Sequence, residues 1–183
     1  LSSVFRSQLP QTKKVEFNVE TQALGENGAP IMITQSEYMR RMKEMANIQA
    51  GMSFYGEMPN MYNLVLNADH KLVKQVLTDA DNSCKAALEP IESEMANLNN
   101  RRKELQKAQE GKKTEDIPQA EKDELNDIEK KISDETTKKQ AVLGEYANGN
   151  KIIHQLIDLA LLQNNMLKGE ALTNFVKRSI ELI

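Results

Sequence analysis

Cysteine is nearly absent from this chain of 183 residues. The lone Cys84 rules out an internal disulfide, fits a reducing cytosol and has no visible activating partner. Histidine is almost as scarce. His70 and His154 stand far apart, and no cysteine and histidine cluster has metal-ligand spacing. His70 reads as a helix first-turn residue able to hydrogen-bond locally. The neighbouring Asp69 does not make a dyad with it, because adjacent residues on a helix point about 100° apart. Charge of one sign is lacking too, with 24 basic against 27 acidic residues, which gives no electrostatic case for nucleic acid or an anionic membrane. No apolar run reaches the ~18 residues of a membrane span, and no signal peptide opens the chain. There is no P-loop and no dinucleotide glycine motif after a strand. These absences predict a soluble, cytoplasmic protein with no catalytic, metal or cofactor site in this chain and no membrane or nucleic-acid partner. A start at Leu1 rather than methionine reads as a part of something longer.

What is abundant is apolar surface near the end. Ile152, Ile153, Leu156, Ile157, Leu159, Ala160, Leu161 and Leu162 leave His154, Gln155 and Asp158 as a narrow polar stripe on helical spacing. A surface helix needs an apolar stripe only somewhat over ~100° wide, so this one must be covered on two sides. Lys168 and Gly169 give a stop signal. Leu172, Phe175, Val176, Ser179, Ile180 and Ile183 then share one face of a second helix, with Asn174, Lys177, Arg178 and Glu181 on the other. Such a pair is half of a four-helix bundle, or else a hairpin folded back on its own domain.

Upstream, Leu1 to Leu9 fit a short helix stopped by Pro10. Lys14 to Glu20 alternates with the period of a half-buried strand, Pro30 to Thr34 is a second strand and Tyr62 to Asn67 a third. Together they predict an α+β fold, a small mixed three-stranded sheet with helices packed on one face. Ser36 is a plausible cap for a helix running to about Ile48, and Asn67 for one beginning at Ala68. Seven of the nine methionines fall between Met32 and Met61. Their helical spacing suits either a core face filled with methionine or an exposed adaptable surface. Apolar residues continue through the break at Gly51 to Pro59. From Leu88 to Tyr146 two seams of three-and-four spacing, with Arg102 filling a gap in one and Glu135 and Lys139 in the other, predict a coiled-coil hairpin turning at Gly111 to Pro118. Pro90 marks either the start of the first arm or a kink. The balanced charges from Arg101 to Lys139 read as a solvated face.

The phrases APIMITQSEYMRRMKEM (Ala29 to Met45), YNLVLNADHKLVKQVL (Tyr62 to Leu77) and LIDLALLQNNMLKGEALTNFVKRSIELI (Leu156 to Ile183), in this order, resemble the C-terminal dimerisation domain of the heat shock protein 90 family, most closely its bacterial HtpG branch. The resemblance covers the sheet, the methionine helix and the last two helices. Leu77 to Asn148 departs from it and looks like a lineage insertion of charged helical hairpin. On this resemblance residues 1–183 are one domain, with an insertion at 77–148 and dimerisation helices at 151–183.

The resemblance implies a dimerisation and client-contacting module of an ATP-dependent chaperone that assists protein folding under stress. It is not an enzyme in itself. ATP and magnesium belong to an N-terminal domain absent from this chain. The homodimer is expected to meet through Ile153, Leu156, Ile157, Ala160 and Leu161 of one helix and Leu172, Phe175, Val176 and Ile180 of the next. Unfolded or partly folded clients are expected at Met39, Met42, Met45, Ile48, Met52 and Phe54. An end at Ile183 without a MEEVD tail speaks against tetratricopeptide co-chaperones as partners. The rival reading is a coiled-coil scaffold whose charged hairpin recruits a partner while the sheet anchors it.

Overall fold

The computed structural model describes residues 1–10, 12–46, 48, 58–111 and 117–181. The segment around Met52 and Phe54, most of the hairpin turn and Ile183 lie outside the described residues. Among the described residues the fold is α+β, with three strands and six helices. The chain divides into two compact units, Leu1–Asp79 with Tyr146–Ile183, and Ala80–Glu145.

The first unit is built on the mixed sheet that the alternation predicts. Its strands are β1 (Val15–Gln22), β2 (Ile31–Gln35) and β3 (Asn60–Asn67), in the order β1-β3-β2. β3 runs parallel to β1, pairing Val15 with Asn60, and antiparallel to β2, pairing Ile31 with Leu66. Pro30 stands just before β2, where its missing N–H costs the ladder nothing, and its carbonyl accepts from the Asn67 amide at 2.9 Å. Successive side chains of a strand point to opposite faces, yet Leu64, Val65 and Leu66 are all buried, so both faces of the central strand are covered at that end. Helix α1 (Ser2–Arg6) packs Val4 and Phe5 beside β1, and the edge strand keeps Glu16 and Asn18 in solvent.

Asn67 does not cap a helix starting at Ala68. Helix α3 (Lys71–Gln109) begins three residues later, and its first turn is capped by His70, whose Nδ1 accepts from the Leu72 amide at 3.2 Å. Asn67 is fully buried and does something else. Its Oδ1 accepts from the amides of Leu24 and Asp69, both at 3.1 Å, while its Nδ2 donates to the Gly25 carbonyl at 2.8 Å. Asp69 Oδ2 accepts from the Gly25 amide at 2.9 Å. The β1–β2 loop is thereby clamped to the end of β3. Two glycines permit it. Gly25 has φ +79°, and a Cβ on Gly28 would stand 2.8 Å from the Leu24 carbonyl oxygen and 3.0 Å from Asn67 Nδ2.

Helix α5 (Lys151–Gln163) is capped by Asn150, whose Oδ1 accepts from the amides of Ile152 and Ile153. Its other end lies short of the expected stop at Lys168 and Gly169. Asn165 takes the left-handed conformation with φ 55°, the Met166 amide donates to the Leu161 carbonyl and the Asn165 amide to that of Leu162. This is a Schellman ending with asparagine in the place usually held by glycine. Gly169, also left-handed, instead precedes helix α6 (Glu170–Glu181).

The second unit is a helical hairpin of the later part of α3 and most of α4 (Gln119–Gly149). The arms are antiparallel. Arg101 grips Glu124 through two bonds of 2.7 and 3.2 Å, and Lys139 reaches Glu92 at 2.6 Å, so the partner number falls as the residue number rises. Leu105 and Ile128 are the buried seam residues. Pro90 lies inside α3 and does not begin it. Cys84, also in this unit, is buried, and burial pushes its thiol up from the ordinary value, with the Asp81 charge adding to the effect.

Candidate interaction surfaces

Helix α5 lies between two neighbours. One face carries Ile153, Leu156, Ile157, Ala160 and Leu161, all of them buried in the chain's own core, and the helix packs on β2. The opposite face bears the polar stripe, and α6 sits on it. Gln155 Nε2 donates to Ser179 Oγ at 2.6 Å, Arg178 Nε donates to Gln155 Oε1 at 3.1 Å, Arg178 also pairs with Asp158, and Lys151 with Glu181 at 2.7 Å. The contacts 151–181, 155–179 and 158–178 make the helices antiparallel. The spacing assigned Arg178 and Glu181 to the outer face of α6. They turn to α5 because the stripe they meet offers carboxylate, amide and ammonium partners, and a half-buried ion pair needs such hydrogen bonds around it.

The nine residues expected at a dimer interface are thus split. Five are already covered within the chain, and the four on α6 are not: Leu172 and Phe175 are half-buried, while Val176 and Ile180 are 49% and 69% exposed. No residue of α6 is buried. At 100° per residue, Ile152 and Leu159 flank the α6-facing side of α5, and antiparallel pairing turns that flank the same way as Val176 and Ile180. The accessible apolar face of the pair is therefore Ile152, Leu159, Leu172, Val176 and Ile180. Ile152 and Leu159 stand seven apart beside the polar stripe, a signal visible in the sequence once the stripe is known to face another helix.

Helix α2 (Glu37–Ala46) also buries no residue. Met39 and Met42 are half-buried, Met45 and Tyr38 exposed, and Ile48 beyond the helix is exposed. Lys43 holds the helix to the start of β3, donating to Asn60 Oδ1 at 2.9 Å and to the Met58 carbonyl. On the back, Glu37 accepts from Arg40 and Arg41, whose guanidinium hydrogen bonds hold its carboxyl below the usual range. Tyr38 and Met45 lie between the half-buried face and this charged back, on one apolar flank. Met52 and Phe54 lie outside the described residues.

Among the described residues no group of three or more histidine, cysteine, aspartate or glutamate side chains could hold a metal ion, and no helix is long and apolar enough to cross a membrane.

Comparison with known proteins gives the family. Over all 183 residues the chain is 69% identical to the chaperone protein HtpG of Bacteroides fragilis and 66% identical to that of Bacteroides thetaiotaomicron. The chain belongs to the HtpG-type branch of the heat shock protein 90 family. The chaperone protein HtpG of Porphyromonas gingivalis is 44% identical over 185 residues, again across the whole chain. Each match runs through the helical hairpin, so all three HtpG relatives have sequence aligned with it. The chain spans 27% of the length of each of these relatives. No family model and no solved structure matches the HtpG-type chain.

Proposed function

We propose that this chain is the C-terminal dimerisation and client-contacting module of an ATP-dependent HtpG-type chaperone of the cytoplasm. The observation that carries the reading is the exposed apolar face of α5 and α6, left over after the core has closed. Two copies joined through it around a two-fold axis would form a four-helix bundle. The joined C-termini would raise the effective concentration of distant domains for each other, which lets a linked dimer close without strong contacts there. ATP and magnesium would act in those other domains. The exposed flank of α2 would meet unfolded clients, since unbranched, polarizable methionine repacks against dissimilar apolar partners. The dimer contact lies on the five accessible residues of α5 and α6, not on all nine that the resemblance implies.

The test is the solution mass of the chain against concentration, for the native sequence and for Val176→Asp with Ile180→Asp. Both positions lie outside the core, so the doubly substituted chain should keep its fold by circular dichroism and become monomeric. A native chain that is monomeric at tens of micromolar, or a substituted chain that stays dimeric, would overturn the proposal. The client surface has its own test. Met42→Gln with Met45→Gln should weaken suppression of client aggregation while the melting temperature holds; lost stability with intact protection would mark these side chains as core.

A further inference from the structure

No methionine among the described residues is buried, whereas the single cysteine is. Six of those methionines belong to one stretch of the chain: Met32, Met39, Met42, Met45, Met58 and Met61. Two of them are open to solvent, Met45 at 43% and Met61 at 45% exposed. Lys43, two residues before Met45, bonds to the Asn60 side chain, so Met45 belongs to the α2 surface while Met61, the next residue of β3, points to the other face of the sheet. A two-electron oxidant reaching this protein therefore meets thioethers before it meets a thiol. Cys84 is shielded, and burial raises its pKa and so lowers its thiolate fraction. We infer that Met45 and Met61 are sites of reversible oxidation to methionine sulfoxide, and that the modification at Met45 turns the client-contacting flank of α2 off. The inference deepens the client reading above and rests on it for its consequence, not for its chemistry.

The reaction needs no protein catalyst. The sulfur lone pair attacks one oxygen of hydrogen peroxide, the O–O bond breaks, sulfur is oxidised by two electrons and peroxide is reduced to water. The return step passes the sulfoxide oxygen to water at the expense of two thiols of a methionine sulfoxide reductase, which become a disulfide. Each oxidation replaces a soft apolar contact with a polar S=O group that must stay hydrated. Losing about one methylene's worth of apolar contact weakens a client complex roughly fourfold for each methionine involved. The oxidised helix itself should hold, since Met45 is exposed and no residue of α2 is buried.

The experiment treats the 183-residue chain with graded hydrogen peroxide and follows each methionine by peptide mass spectrometry. Met45 and Met61 should oxidise ahead of the half-buried Met95 and Met166, with Cys84 unmodified. Aggregation of a heat-denatured model client is measured on the same samples, then again after treatment with both sulfoxide reductases. Protection should fall severalfold and return on reduction, and a chain with Met45→Leu should keep a larger share of its own untreated protection after peroxide than the native chain keeps of its own. Oxidation of Cys84 first, or equal rates at all methionines, overturns the assigned sites. Unchanged protection with both sulfoxides formed overturns the switch. If the native, unoxidised chain protects no client at all, it is the client reading that fails, and the oxidation order still decides the chemistry.

Discussion

Replacing Asn67 with alanine should cost this fold about as much as truncating a buried leucine, although the side chain is polar. The side chain is fully buried, and its removal strands the amides of Leu24 and Asp69 and the carbonyl of Gly25. A buried backbone group left without a partner costs about 1 to 3 kcal/mol. Asp69 keeps some access to water, so we expect a loss of ~3 kcal/mol, out of a total stability on the order of 5 to 15 kcal/mol. Asn67→Asp should do similar damage, because a carboxylate oxygen would then face the Gly25 carbonyl where Nδ2 now donates. Asp69→Ala is the control, since it removes one exposed bond to the same loop and should cost under about 1 kcal/mol. Native-state hydrogen exchange at the Leu64 and Leu66 amides reports the sheet separately from the hairpin. A loss below ~1 kcal/mol for Asn67→Ala, or one equal to that of Asp69→Ala, would refute the reasoning.

Further predictions follow from the helices. Leu161→Ala should lower stability by ~2 to 5 kcal/mol in urea unfolding, because it leaves a cavity in the chain's own core. Asn165→Gly should leave stability equal or slightly higher and Asn165→Val should lower it, since a β-branched residue does not tolerate φ 55°. A double-mutant cycle on Arg101 and Glu124 should return ~0 to 1 kcal/mol, the range of an exposed pair, and shrink with salt. Glu37 has a carboxyl pKa below its ordinary value of 4.5, lowered by hydrogen bonds from Arg40 and then Arg41. Its contribution to α2 is therefore present above the unfolded value and lost as pH falls through the folded one, and NMR titration of Glu37 should show the depressed midpoint.

Periodicity made the fold legible where one physical demand governed a segment. Alternation marked β1 because one side of it is half in water. The seams of the hairpin were readable because the apolar positions recur at three-and-four spacing, and both arms are found. Periodicity was silent where polar side chains do the packing. Asn67 looked like a cap because asparagine before a helix commonly is one, and nothing local announces that Leu24 and Gly25 come back to it across 40 residues or more of chain. The end of α5 was misjudged because Gly169 has the better intrinsic freedom, yet Asn165 takes the left-handed turn first. The α6 seam was hidden for a related reason. Reading apolar as inward and charged as outward fails when two polar stripes satisfy each other, as those of α5 and α6 do.

The way α6 is held has a consequence for assembly. Apolar contacts tolerate sliding, since one methyl group packs nearly as well as its neighbour, but hydrogen bonds and ion pairs hold at one spacing and orientation. With Gln155 on Ser179, Arg178 on Asp158 and Lys151 on Glu181, α6 is locked in register at three levels along its length. Val176 and Ile180 are therefore set at fixed heights against Leu159 and Ile152 before a second chain arrives. The surface comes pre-aligned, so a partner would encounter a pattern already fixed in place and association would order little further backbone.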